Sequence, residues 1–159
     1  LAVSGKLDTA AGGPSFIDVS VTENNGTTYY EPLDANNEAF WRRTVYRFNP
    51  RGGRSALLDT FDCPDSASTA PRRAVTTTPL QALSLLNNSF VLQMADAMAE
   101  RVRSEFPNDI RGQVTRAWQL AITRDPSEEE RALSEQLVRN HGLAALCRGL
   151  FNVNEFVMN

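Results

Sequence analysis

Arginine is the residue type in this sequence best suited to binding chemistry. The 159-residue chain contains fifteen arginines but a single lysine, Lys6, and seven of the arginines fall between positions 42 and 73. Only three aspartates balance them in that stretch. A guanidinium group binds sulfate, phosphate or carboxylate at two points in one plane, which an ammonium group cannot copy. The stretch predicts either a surface for anions or a set of internal arginine–carboxylate pairs. We favour internal pairs because they require no ligand.

The sharpest anion-binding candidate is the place where these arginines meet a helix start. Arg72 and Arg73 stand shortly before the threonines at 76 to 78, where the sequence predicts that a helix begins. Free N–H groups in the first turn of a helix attract anions. The candidate anion-binding residues are therefore Arg43, Arg47, Arg72, Arg73, Thr76, Thr77 and Thr78.

Three carboxylates recur at every third position, as Asp59, Asp62 and Asp65. A pair of carboxylates could supply the acid and the base for glycoside hydrolysis, and a group of them could bind a hard cation. However, Cys63-Pro64 breaks helical stacking between them, and aspartate is common in turns and caps. We favour a structural role, and the sequence predicts no catalytic residue.

Soft metal ligands are few. The chain has two cysteines, Cys63 and Cys147, and one histidine, His141. It has no C-x-x-C pair and no haem-attachment motif, and a structural zinc site normally requires four such ligands. We therefore predict no metal and no cofactor. The cysteines could pair in an oxidising compartment or stay as two buried thiols, and His141 suits a helix end next to Gly142.

Two further groups could line a site. The aromatic residues Trp41, Tyr46 and Phe48 could stack on a sugar, although aromatic residues at helical spacing are usually core. The segment Asn154-Glu155-Phe156 could also line a site, but docking of a terminal helix explains it more simply.

The first 75 residues predict an irregular region. Alternation of Ile17, Val19 and Val21 with polar residues predicts a half-buried strand over 16–22, and Asn25-Gly26 predicts a hairpin turn after it. The spacing of apolar residues favours a helix over 38–48. Residues 54–75 are predicted to be an ordered loop with a helical turn at 55–60.

Amphipathic helices dominate the remainder, residues 76–159. Thr78, Pro79 and Gln81 supply an N-cap, a first-turn proline and a capping-box partner, and Leu80, Leu83 and Leu86 form the apolar stripe of that helix. Four more helices follow, starting near Ser89, Asp109, Ser127 and Leu143. Their predicted core positions are Val91, Ala95, Met98, Val102, Ile110, Val114, Ala117, Trp118, Ala121, Leu143, Leu146, Leu150 and Phe151.

The fold class that follows is mainly α, a small helical bundle with a short β-hairpin near the N-terminus. The chain is expected to be a single domain or the C-terminal part of one. The net charge of −3 argues against nucleic acid as a partner, and no apolar run approaches the ~18 residues of a membrane span. The chain opens on Leu1, not Met, so the natural N-terminus is expected to lie elsewhere.

Several long segments resemble a known family. The run PRRAVTTTPLQALSLLNNSFV at 71–91 resembles the signature of the planctomycete-type domain of unknown function numbered fifteen-fifty-three. The segments SGKLDTAAGGPSF, WRRTVYRFNPRGG with LLDTFDCPD, and LCRGLFNVNEF agree with it. The resemblance implies the C-terminal part of a large exported protein that often carries a cytochrome-c-like domain elsewhere, and an extracytoplasmic location in the periplasm or cell envelope.

The resemblance implies no reaction, so three functions stay open. The first is a non-catalytic structural or interaction module whose partners are the other domains of the same polypeptide. The second is part of a polysaccharide-acting enzyme whose arginines grip an anionic polysaccharide. The third is an accessory face for a haem domain in electron transfer.

Overall fold

A computed structural model of the chain describes residues 1–34, 36–51, 53–65, 67–72, 76 and 78–157. The chain forms two compact units. The helical unit comprises Leu1–Lys6 and Leu85–Asn159, and the loop unit comprises Leu7–Ser84. Across the described residues seven helices and one two-stranded antiparallel sheet are present, which confirms the predicted mainly α fold with a short hairpin near the N-terminus.

The hairpin lies in the loop unit. Strand β1 (Val19–Asn24) pairs with β2 (Thr27–Pro32) through the two-residue turn Asn25-Gly26. Both turn residues have positive φ, 50° and 77°, which is the mark of a type I′ turn and matches the natural twist of the strands. The predicted buried face is wrong in part. Val19 is buried, but Ile17 and Val21 are about half exposed, because a two-stranded ribbon covers little surface.

The helix predicted over 38–48 is wrong. That segment contains two single-turn 3-10 helices, Glu38–Phe40 and Thr44–Tyr46, separated by residues 41–43. Its backbone forms two isolated parallel β-bridges to residues much earlier in the sequence: Arg42 pairs with Asp8, and Arg47 pairs with Phe16. These bridges tie the segment to earlier residues of the chain, and tertiary pairing of this kind overrides helical spacing.

The predicted helical turn at 55–60 is confirmed as α1 (Ala56–Thr60), capped by the side chain of Ser55, which accepts a hydrogen bond from Leu58 N. Asp62 ends the helix in the left-handed conformation, with φ of 57°. The N–H of Cys63 then donates to the carbonyl of Leu58 at 3.1 Å, as in a Schellman motif. Asp62 is therefore part of a helix terminus.

Helix α2 (Pro79–Asn87) begins where the sequence predicts, but its apolar stripe does not face a core. Leu80 and Leu83 are 61% and 57% exposed, whereas the polar Gln81 is buried. Gln81 is buried because its side chain is occupied by hydrogen bonds to residues before the helix.

The helical unit contains α3 (Ser89–Glu105), α4 (Ile110–Ile122), α5 (Glu128–His141), α6 (Leu143–Leu150) and the single turn α7 (Asn154–Val157). Helix α3 packs on α4 and α6, α5 packs on α4 and α6, and α7 contacts α4. None of the described helices is both long enough and apolar enough to cross a membrane. This packing confirms the helical bundle.

The bundle core matches the predicted positions closely. Met98, Val102, Val114 and Ala117 are completely buried, and their neighbours along each apolar stripe are nearly so. Only Ile110, at the first turn of α4, is merely half-buried. The capping box at the start of α5 is also confirmed: Ser127 Oγ accepts from Glu130 N, and the Glu130 carboxylate accepts from Ser127 N.

Arg124 joins three elements of this unit. Its two terminal nitrogens donate to both oxygens of Glu130 at 2.8 and 2.9 Å, and its guanidinium also binds Glu155 at 3.0 and 3.1 Å. The guanidinium lies 4.9 Å from the ring centroid of Trp118. Hydrogen bonds from Arg124, and then from the Ser127 N–H, lower the pKa of Glu130 to about 2. Hydrogen bonds to Glu130, and then to Glu155, raise the pKa of Arg124.

Acid should weaken the helical unit through Glu130. The usual pKa of glutamate is about 4.3, so the lowered value stabilises the fold above that pH, and the contribution is lost as pH falls toward 2. We expect Glu130→Gln to lower the urea midpoint at pH 7 and to differ little from the parent near pH 2. Glu129→Gln, one residue away and exposed, is the control. A constant gap between parent and Glu130→Gln from pH 7 to 2 would contradict this assignment.

Both cysteines are free thiols. Cys147 is completely buried among the bundle helices, and burial raises its pKa to about 12, whereas Cys63 is half-buried. The thiolate is the reactive form. In a Cys63→Ser variant we therefore expect a soluble thiol reagent to modify Cys147 only after denaturant unfolds the chain. Rapid modification of the native variant would show that the unit opens there.

Candidate functional site

Among the described arginines of the loop unit, Arg42 makes the most side-chain hydrogen bonds. Its guanidinium donates to three backbone carbonyls of one loop, at 3.0 Å to Pro14, 3.3 Å to Ala10 and 2.7 Å to Gly12. It also lies 4.5 Å from the ring centroid of Tyr46, whose hydroxyl accepts from Gly12 N. Because these contacts join the loop at 10–14 to the segment at 42–46, Arg42 is a tether within the unit.

Arg47 is a second internal arginine. Its Nε donates to the Asp18 carboxylate at 2.7 Å, and only 8% of its side chain is exposed. A second contact, to Asn49 at 3.3 Å, uses another of its nitrogens. Arg47 was a candidate for anion binding, but the structure places it against a carboxylate that already balances its charge.

A small cavity adjoins Arg47 and two of the regularly spaced aspartates, Asp59 and Asp65. Its volume is about 10 Å³, the space of a single water molecule. At its edge Arg54 lies 3.8 Å from Asp59, in a pair that is largely exposed to solvent. The cavity is far too small for a sugar ring, so these carboxylates do not line a substrate cleft among the described residues.

The third aspartate, Asp62, links the end of α1 to the approach to α2. Its carboxylate accepts from Thr76 N at 2.7 Å and from the Thr76 hydroxyl. Buried Gln81 extends the link, since its amide nitrogen donates to Thr60 O and to Thr76 Oγ1 at 3.0 and 3.2 Å. These hydrogen bonds form a polar network that closes the long loop of the unit.

The start of α2 has the predicted capping box. The Gln81 side-chain oxygen accepts from Thr78 N at 3.1 Å, and the Thr78 hydroxyl accepts from Gln81 N at 3.3 Å. Pro79 has no N–H to offer. Most of the donors expected to attract an anion at this helix end therefore already have partners within the chain.

Removal of the cap should be measurable. We expect Thr78→Ala to lower the free energy of unfolding by about 1 kcal/mol, because the backbone N–H of Gln81 loses its hydrogen-bond acceptor. Thr69→Ala, at an exposed loop position of the same unit, provides the control. Equal denaturation midpoints for the two variants would show that the Thr78 hydroxyl does not stabilise the helix.

The remaining candidates for anion binding do not form one cluster among the described residues. The side chains of Arg43 and Arg72 are exposed and make no hydrogen bond or ion pair within the described part of the chain. Thr76 and Thr78 are brought together through Gln81. The candidates Arg73 and Thr77 lie outside the described residues.

The other residues that the sequence offered as site candidates have structural roles at a helix end or in packing. His141 is the last residue of α5, and Gly142 beyond it has φ of 86°. Glu155 binds Arg124, and Phe156 stacks on Phe151 with centroids 5.1 Å apart, so the terminal segment docks onto the bundle. No group of three or more metal-ligating side chains occurs in the described ranges.

Sequence reasoning missed the residues that organise the loop unit. Arg42 was counted among seven arginines without a distinct role, and Asp18 was assigned only to the polar face of a strand. Their partners lie about 30 positions away, so no local spacing could reveal them. The capping-box pattern, by contrast, was sufficient to single out Gln81.

Comparison with known proteins gives one match. The family profile described as PSD1, protein of unknown function (DUF1553), matches residues 1–138. The match includes all of the loop unit and helices α3 and α4, but it ends before the segment at 146–156. No curated protein and no solved structure is significantly similar to the chain.

Proposed function

Because the chain belongs to the family of proteins of unknown function DUF1553, we propose that it is a non-catalytic structural or interaction module of a larger exported multidomain protein. The family match covers most of the chain and reaches into both units, which supports assigning one setting to the whole chain. The extracytoplasmic location, in the periplasm or cell envelope, is part of this proposal. Its partners are then the other domains of the same polypeptide.

The observation that carries the proposal is the internal use of the chemistry-bearing side chains. Arg42 binds loop carbonyls and Arg47 binds Asp18. Asp62 is hydrogen-bonded to Thr76, and Asp65 accepts from Ala67 N at 2.9 Å. Side chains that are hydrogen-bonded within the chain in this way support a fold, whereas a catalytic pair requires a cleft and free lone pairs facing a substrate.

Association between separately expressed parts tests the proposal directly. The chain is mixed with the remainder of its parent polypeptide, and sedimentation velocity measures whether they form a complex. We expect a weak complex that forms at high protein concentration, because inter-domain interfaces resemble those of transient protein complexes. Absence of a complex, together with polysaccharide cleavage by the chain that Asp59→Asn abolishes, would favour the enzyme alternative.

Anion binding is the second candidate, and the exposure of Arg43 and Arg72 favours it. Titration of the chain with a sulfated oligosaccharide at low salt is the first measurement. A charged hydrogen bond contributes about 1.5–3 kcal/mol, so replacing Arg72 and Arg73 together by lysine should weaken binding at least tenfold. No binding at millimolar concentration would eliminate this candidate.

A further inference from the structure

The last turn of the helical unit, α7, is attached at two points. Glu155 binds the guanidinium of Arg124 at 3.0 and 3.1 Å, and Phe156 stacks on Phe151. Phe151 follows α6 directly and is only 4% exposed. The turn therefore covers the aromatic end of α6.

Arg124 does not depend on α7 for its own position. Both oxygens of Glu130 bind its terminal nitrogens, and the ring of Trp118 lies beneath it. The indole N–H of Trp118 is in turn fixed by Ser134 Oγ at 3.1 Å. If Glu155 departs, the guanidinium keeps three hydrogen bonds, two to Glu130 and one to Asp125 O, together with the aromatic contact. The freed Nε reaches solvent because 39% of the side chain is exposed.

We propose that α7 is a strap that opens and closes over Phe151, with the ion pair between Glu155 and Arg124 as its latch. A single helical turn has few hydrogen bonds of its own, and the latch is half exposed, so its ion pair contributes little free energy. Segments with few buried contacts open locally, without global unfolding. Arg124 stays bound to Glu130 and over Trp118 when α7 opens, so the strap closes onto groups that are already in position.

Opening of the strap changes the surface of the unit. It uncovers the ring of Phe151 at the C-terminal end of α6, while α3, α4, α5 and α6 keep their packing. Opening of α7 therefore exposes the aromatic ring of Phe151. This inference does not depend on the proposed module function.

Amide hydrogen exchange tests the strap. The N–H groups of Phe156 and Val157 both donate to Val153 O, at 2.9 and 3.3 Å, so their exchange reports opening. We expect Glu155→Gln to speed their exchange by up to about fivefold, the range of an exposed ion pair. Glu128→Gln makes the same chemical change at an 84%-exposed residue of the same unit and should leave them unaltered.

A second variant and a second probe keep the test decisive. Phe156→Ala should also speed exchange at Val157, because it removes the aromatic contact with Phe151. In a Trp41→Phe background, the emission of Trp118 should stay constant in Glu155→Gln, because Arg124 remains over the ring. Unchanged exchange in Glu155→Gln, or equal acceleration of the core amides of α4, would overturn the proposal.

Discussion

Replacing Arg42 by alanine should lower the free energy of unfolding by about 3 kcal/mol, among the largest effects of any substitution in the loop unit. Three backbone carbonyls, at Ala10, Gly12 and Pro14, lose a charged donor at once. The contact with the Tyr46 ring is lost with them. Urea denaturation followed by tryptophan emission measures the change, since Trp41 is buried in the same unit.

The neighbouring arginine supplies the matched control. Arg43 is exposed and has no partner among the described residues, so Arg43→Ala should shift stability by less than about 0.5 kcal/mol. Arg42→Lys should fall between the two, because an ammonium group cannot reach carbonyls arranged for a planar fork. Equal midpoints for Arg42→Ala and Arg43→Ala would contradict the tether.

Truncation of Met98 should destabilise the helical unit by about 2–5 kcal/mol. Its side chain is completely buried on α3, and alanine would leave a cavity between helices that relax only partly. Thermal and urea denaturation measure the loss, with helical circular dichroism as the signal. Met98→Leu conserves volume and should cost less than about 1.5 kcal/mol.

Leu133→Ala is the control for loss of an apolar side chain, because Leu133 on α5 is 62% exposed. We expect that variant to remain within about 0.5 kcal/mol of the parent. If Met98→Ala were as mild as Leu133→Ala, the packing of α3 in the core would have to be revised.

The helical unit was predictable from sequence because its signals are local. Each helix has an apolar stripe at a spacing of three and four residues, and caps such as Ser127 with Glu130 mark where a helix begins. Those stripes correctly identified the completely buried Val102 and Val114. In α2 the same method failed, because burial there follows the hydrogen bonds of Gln81 and not the leucine stripe.

The loop unit was less predictable because its order comes from distant pairs. Trp41, Val45 and Phe48 have helical spacing, yet Val45 is 75% exposed and the segment is bridged to residues about 30 positions earlier. The same holds for the candidate site. The sequence identified an arginine-rich stretch and a capping box, but it could not show which guanidinium faces a carbonyl, a carboxylate or solvent.

The turn of the hairpin has a chemical consequence over time. In an Asn-Gly pair the backbone nitrogen of the glycine can attack the asparagine side-chain carbonyl and expel ammonia, and water then opens the resulting succinimide to aspartate or isoaspartate. That attack requires the nitrogen to approach the side chain from an extended backbone, whereas Asn25 and Gly26 are folded into left-handed conformations. The hairpin conformation thus protects Asn25 from this reaction, and isoaspartate at position 25 would accumulate in proportion to the time that the two strands spend apart.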